Sequence, residues 1–272
     1  MGKGLLSLLK NAFAWGLSLF MFVPMVLMVI NSFKTKGEAN TMSMSLPKAL
    51  QWSNYSIVIE QGKLISSFLN SLLYATVSTA LGLLLSSVAA YIFSRNRTKL
   101  NKALYFFLIL GIAMPMNFVT LTKVMQFTHL INTQLGMIIL LAVTTIPFSV
   151  FLIYGFIGSV PRELDEAGIV DGSSPLRLFA YIVLPLLTPV LVTVAILNFM
   201  GSWNDFVLPL YYLNNSNYWP MTLAVYNFFG QFSVSWNLVS ADIVLTTLPV
   251  ILIYLLGQKY IISGMTSGSV KG

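Results

Sequence analysis

Few residues in this sequence could do chemistry, and only one stretch gathers them. Eight carboxylates and a single histidine, His129, are spread over 272 residues, and there is no cysteine. Thiolate catalysis, thiolate metal sites and disulfides are therefore excluded. Four of the carboxylates, Glu163, Asp165, Glu166 and Asp171, fall in residues 158–189, GSVPRELDEAGIVDGSSPLRLFAYIVLPLLTP. With one histidine in the chain a metal centre would depend mostly on carboxylates, and none cluster suitably for that or for a catalytic set. The phosphate-binding pattern G-x-x-x-x-G-K-[ST] is missing too, so this chain is not expected to bind ATP. What the segment does encode is a shape. Pro161 suits the start of a helix, and acids in the first turns face the positive end of its dipole. Asp171-Gly172 marks the stop. Ser174 is a good N-cap, with Pro175 in the first helical position behind it. Helix, sharp turn and helix follow. That shape reads either as a docking element or as a well-capped interfacial connector.

The elements that must position this segment are written for lipid. Hydrophobic residues make up 57% of the chain and charged residues 8%, where a soluble protein has about 25% charged. A helix needs about 20 largely apolar residues to cross the bilayer. Uncharged runs place six spans, at about 12–31, 64–93, 103–122, 135–156, 182–204 and 238–258, with Pro115 as a kink point in the third. The expectation is an all-α, polytopic transmembrane domain over 1–272, with the acidic loop at about 158–181 on one surface. The first run is longer than a signal-peptide core and is expected to stay as a helix. With the N-terminus inside, Lys3, Lys10, Arg95, Arg97, Lys99, Lys102, Arg162, Arg177, Lys259 and Lys271 lie inside, and Lys34, Lys36, Lys48, Lys63 and Lys123 outside. This bias puts both termini in the cytoplasm. The net charge of +7 is read as a topology signal rather than as a nucleic-acid footprint.

Other features have plain structural readings. Ser78, Gly82, Ser86 and Ala90 recur every four positions, a stripe that lets another helix approach closely. The 13 methionines suit flexible apolar packing better than metal transport. Residues 223–236 are apolar and aromatic around Gly230, which suits a short interfacial or re-entrant helix or an outer extension of the last span.

The spacing within the acidic loop resembles the signature loop of permease subunits in ABC importers. That signature is Glu-Ala-Ala, three residues, Gly, nine residues, Ile, one residue, Leu-Pro. Here Glu166-Ala167-Gly168 leads to Gly172, then Ile182, then Leu184-Pro185. The one departure is Gly168 in place of the second Ala, which removes a methyl and about 1 kcal/mol of helix propensity. Trp203-Asn204-Asp205-Phe206 with Pro209-Leu210, Leu248-Pro249, Gln258-Lys259-Tyr260 and the Gly-rich tail 264–272 are similar to the carbohydrate-importer branch, in the type of the maltose importer's shorter permease.

The resemblance implies a machine in which this chain is no enzyme. A second homologous permease completes the pore. A cytoplasmic ATPase dimer, holding ATP and magnesium, drives it, and an extracellular or periplasmic binding protein delivers the sugar. The setting is a bacterial cell membrane. It also implies ATPase-coupling roles for Glu163, Glu166, Ala167, Gly168, Asp171, Gly172, Ile182, Leu184 and Pro185, and ATPase contacts for the tail residues Gly264, Gly268, Lys271 and Gly272. Sugar recognition combines stacking rings with hydroxyl, amide or carboxylate partners, so Tyr74, Asn117, Trp203, Asn204, Asp205, Asn227 and Asp242 are candidates for the solute path. Asp242 needs a polar neighbour, because the last helix must begin before it to cross the bilayer. Import of another polar solute, or action as a stand-alone secondary transporter, are the alternatives.

Overall fold

A computed structural model describes residues 2–230 and 233–267, with side chains for 6–230 and 233–259. In chain order the helices are α1 (Gly2–Ser32), α2 (Lys36–Ala39), α3 (Ser53–Gln61), α4 (Leu64–Arg95), α5 (Lys99–Ala113), α6 (Phe118–Phe127) and α7 (Gln134–Ile157). Then come α8 (Glu163–Val170), α9 (Pro175–Leu178), a π-helical turn at Phe179–Val183, α10 (Leu184–Leu186), α11 (Thr188–Asn204), α12 (Val207–Tyr212), α13 (Met221–Ala224) and α14 (Trp236–Ser267). The structure is all-α. Leu6–Ser32, Leu64–Arg95, Gln134–Ile157 and Trp236–Lys259 are long and apolar enough to cross a membrane, and two bent helix pairs bring the total to as many as six. The chain is a multi-pass membrane protein. Among the described residues the only β pairing is an isolated bridge, Phe229 with Val234.

The chain divides into two compact units, Met1–Ser66 with Met221–Pro249, and Ser67–Pro220 with Val250–Gly272. In the first, α1 leaves Phe13, Trp15, Phe20 and Met21 70–75% exposed. Lipid is the solvent that tolerates such a surface. The segment after α1 is a folded cap rather than a loose loop. Lys34 is buried, and its ammonium donates to Asn31 Oδ1 at 3.0 Å, the Ser43 carbonyl at 2.6 Å and Ser43 Oγ at 3.1 Å. Three acceptors match its three donors, which is what lets a lysine be buried. Asn54 donates to the carbonyls of Ser32 and Lys34 and accepts from Asn237 Nδ2 at 2.8 Å, fixing the cap to the first turn of α14. Phe33, Trp52 and Tyr55 pack as a ring cluster beside it. At α2 a capping box pairs Thr35 with Glu38, and the Thr35 N–H and hydroxyl hold the Glu38 carboxyl below the usual range.

The second unit is built around α7. One apolar cluster joins Ala90 of α4 and Val150, Ile153 and Ile157 of α7 to Leu178, Phe179, Val183 and Val194. Another joins Tyr74 of α4 and Met137 and Leu141 of α7 to Met125, Leu208 and Tyr212. Since α4 and α7 both enter the second cluster early and the first late, they run parallel. By contrast α11 runs antiparallel, with Val194 in the first cluster and its far end held by Ser78 Oγ donating to Ser202 Oγ at 3.2 Å. The small-residue stripe makes this approach possible. Ser78, Ser86 and Ala90 are wholly buried, and a Cβ on Gly82 would stand 2.7 Å from Thr145 Oγ1. Gly111 similarly admits Pro147 of α7, whose Cγ would be 3.1 Å from an added Cβ.

Two expected spans are broken. Instead of one kinked helix over 103–122, α5 ends at Ala113 and the axis turns by 116° into α6. Met114, which precedes Pro115, takes ψ 126°, the extended state that proline imposes on its predecessor. Asn117 then caps α6, accepting the Thr120 N–H at 3.0 Å. In the fifth span Pro175–Leu186 meets Thr188–Asn204 at 79°, where the prolines of Leu184-Pro185 and Thr188-Pro189 interrupt the hydrogen-bond ladder.

The close approach at Gly82 is testable. Gly82→Val should lower the stability of the purified protein by about 1–3 kcal/mol, as overpacking does. Gly16→Val, with nothing within 4 Å of its Cβ, should leave the melting temperature in detergent unchanged.

Candidate functional site: the helix–turn–helix of residues 163–178

The acidic segment folds as its caps dictate. Glu163, Asp165 and Glu166 occupy the first turn of α8, where the dipole favours them. The helix ends in a Schellman turn: the Ser173 N–H reaches the Gly168 carbonyl at 2.9 Å and the Gly172 N–H reaches that of Ile169 at 3.0 Å. Gly172 sits at φ +76°, a conformation that side-chain-bearing residues avoid. Ser174 then caps α9, accepting the Arg177 N–H, with Pro175 behind it. Leu178 and the π turn carry the chain into the apolar cluster of α4 and α7.

The two faces of α8 differ sharply. Asp165 and Gly168, three positions apart, face inward and are buried. Glu163, Glu166, Ala167, Asp171 and Gly172 are exposed. So are Ile169 at 65%, Val170 at 86%, Leu176 at 76% and Tyr181 at 78%. The outer surface is thus acidic and apolar together. Ile182, half-buried, and Leu178 explain Gly168: a Cβ there would lie 2.8 Å from Ile182 Cδ1 and 2.9 Å from Leu178 Cδ1. The missing methyl lets α8 lie close on these side chains. Leu184 is half-buried and Pro185 exposed, at the start of the break in the fifth span. One inward contact was not legible in the sequence: Asp165 pairs with Arg95 at the end of α4. Its only local signal is that Asp165 shares a face with Gly168.

The candidates for a solute path are not gathered into one place by any contact within either unit. In the second unit, the buried Tyr74 hydroxyl donates to the Tyr218 carbonyl at 2.8 Å, Asn117 caps α6, and Asp205 accepts the Leu208 N–H at 2.9 Å to start α12. Trp203 is buried between Phe68 and Phe199, with its indole N–H unpaired, and Asn204 is exposed. In the first unit, Asn227 donates to the Gly62 carbonyl at 3.0 Å. Asp242 lies six residues into α14, 1% exposed, and its Oδ1 and the Oγ1 of Thr246 one turn on are buried without partners. It therefore faces protein rather than lipid. Gly264 lies on the described part of α14, whereas Gly268, Lys271 and Gly272 fall outside the described residues. Among the described residues no group of three or more His, Cys, Asp or Glu could hold a metal ion.

The structure is thus an all-α membrane domain with a capped helix–turn–helix between its fourth and fifth apolar segments. Residues 82–267 match the family described as binding-protein-dependent transport system inner membrane component. The melibiose/raffinose/stachyose import permease protein MelC of Bacillus subtilis is 34% identical over 254 residues, covering 92% of both chains. The multiple sugar-binding transport system permease protein MsmG of Streptococcus mutans is 33% identical over 258 residues, covering 93% of both. A bacterial ABC transporter involved in the import of the acidic polysaccharide alginate has a chain of the same fold, with a TM-score of 0.83 over 96% of this chain and 98% of that one, at 20% identity. The chain belongs to the binding-protein-dependent transport system inner membrane component family. It is a permease component of an ABC importer, and ATP hydrolysis takes place in a separate subunit.

Nothing lies within 4 Å of a Cβ built on Gly172, so substitution there acts through the backbone alone. Gly172→Val should destabilise the turn by about 1–2 kcal/mol, and Gly172→Asn by much less, since Asn tolerates the left-handed region. Hydrogen exchange of residues 163–178 should quicken in the order Gly, Asn, Val.

Proposed function

We propose that this chain is one of two homologous permease subunits that form the solute pathway of an ATP-driven sugar importer in a bacterial cell membrane. A cytoplasmic ATPase dimer, with bound ATP and magnesium, supplies the energy. An extracellular or periplasmic binding protein delivers the sugar. The observation that carries this reading is the outward face of α8 and α9, where acids and large apolar side chains are exposed together. A face of that kind suits a cleft on another protein better than open water. Glu166 is the principal polar contact, Glu163 and Asp171 flank it, and Gly264, Gly268, Lys271 and Gly272 are assigned contacts with the same partner. Nucleotide favours the closed ATPase dimer. Its closure moves α8 as a lever and shifts the permease between inward-open and outward-open states.

Sugar is the favoured solute because relatives named for melibiose, raffinose and stachyose, and for multiple sugars, match along nearly the whole length. Tyr74, Asn117, Trp203, Asn204, Asp205, Asn227 and Asp242 remain the residues from which solute contacts are drawn. Among them Asp242 and its neighbour Thr246 have unpaired oxygens suited to a hydroxyl.

Reconstituted with its paired permease, ATPase and binding protein, the complex should hydrolyse ATP faster with melibiose, raffinose, stachyose or maltose. Stimulation by an amino acid or peptide instead would defeat the sugar reading. Glu166→Lys should weaken retention of the ATPase about tenfold, as reversal of an interfacial charge does.

The charge bias puts residues 95–102 and α8 in the cytoplasm. With no native cysteine, single cysteines at the exposed Asn96 and Asn214 can be probed with an impermeant thiol reagent in intact cells. Asn214→Cys should label and Asn96→Cys should not. The reverse pattern would invert the topology.

A further inference from the structure

In the sequence Arg95 reads only as a topology signal, yet in the fold it makes a specific joint. Its guanidinium pairs with Asp165 on the inner face of α8 and donates through Nη2 to the Val160 carbonyl, beyond the end of α7, at 3.2 Å. Arg162, at the N-cap of α8, reaches the other way and donates to the Ser94 carbonyl at 3.1 Å. Asp165 is the only acid of the segment turned inward. Its Oδ1 and Arg95 Nε are both buried without a hydrogen-bond partner, so the contact between the two side chains is an ion pair, made by Nε and Oδ2. Two crossed contacts, joining residues 65 and 68 positions apart, thus tie the end of α4 to the start of α8.

We propose that Arg95 and Asp165 are positioning residues that form the joint through which displacement of α8 reaches α4. This rests on the reading of α8 as the ATPase-docking element. The reasoning is mechanical. α8 is eight residues long and lies between the turn at 158–162 and the left-handed Gly172. A push on its outer face would bend those flanks unless α8 is anchored to a span. α4 is a continuous 32-residue helix, stiff enough to carry a displacement across the bilayer. A partly buried ion pair resists separation, because parting it leaves an uncompensated charge on each side. Arginine suits the role better than lysine, since its planar fork serves the Asp165 carboxylate and the Val160 carbonyl at once. Arg95, Asp165 and the contacts described here all lie within one compact unit.

The test uses the assembled transporter in membranes, with a spin label on Leu84→Cys, an exposed position of α4. The wild-type background should show a change in the label's mobility or distances between the nucleotide-free state and the state trapped with ATP and vanadate. In Arg95→Ala and Asp165→Ala the ATPase should still co-purify and still trap nucleotide, while the fraction of labels that respond falls about tenfold, an ordinary loss of coupling. The double variant should be no worse than either single, because both act through one contact. Arg95→Lys, which keeps the charge and loses the fork, should fall between. A full response in either single variant, or single effects that multiply in the double, would overturn the joint. So would loss of the protein from the membrane in every variant, which would make the pair a folding element only. Failure of the unsubstituted chain to retain its ATPase is a distinct result: it defeats the docking reading and, with it, the ground on which the joint stands.

Discussion

Lipid offers the backbone no hydrogen bonds, and most of this structure follows from that. Each span must close its own N–H···O=C ladder, so the membrane part is helical. The constraint shows most clearly where the ladder is interrupted. At Pro115 the chain leaves helical geometry, and the freed N-terminus of α6 is capped by Asn117. At 179–189 a π turn and two proline-headed helices share the task before α11 begins. Pro24, Pro147 and Pro249, by contrast, sit inside continuous helices. Proline alone does not set where a span breaks. Asn117 caps the helix end that follows Pro115, whereas α11 begins after Leu187 with no side-chain cap.

The same requirement explains why small residues matter more than large ones at the centre of the second unit. Hydrophobic burial gives little drive between helices already in hydrocarbon, so close packing and short hydrogen bonds hold them. Gly82 against Thr145, Gly111 against Pro147 and Ser78 with Ser202 are contacts of this kind. The buried polar groups of the first unit obey a stricter rule. Lys34 and Asn54 are buried because their donors find acceptors in a folded cap. Asp242 and Thr246 depart from that rule, each keeping a buried oxygen without a hydrogen-bond partner.

The helix–turn–helix of 163–178 shows how local rules and packing cooperate. Caps and Gly172 determine its outline, while Asp165 and Gly168 determine how it lies. With the inward positions committed to Arg95, Leu178 and Ile182, the acids at 163 and 166 and the apolar side chains at 169, 170 and 176 are left outward.

The sequence by itself determined the all-α membrane class, the outline of the acidic loop and the family. These depend on composition, run length, cap residues and fixed spacings, all of which act over a few turns. The signature from Glu166 to Pro185 was legible for the same reason. Tertiary structure alone decided the rest. Apolar runs do not record how far a chain turns, so Pro115 read as a kink within 103–122, where the axis turns by 116°. Lys34 read only as one of the outside charges in the topology count, yet it is buried because Asn31 and Ser43 fold back on it. Arg95 and Asp165 carried no mutual signal, since they stand 70 positions apart and meet only once α4 has packed against α7 and α8 against Leu178 and Ile182. Gly168 looked like a weakened helix position. It became a contact only when Leu178 and Ile182 came to fill the space that its absent side chain would occupy.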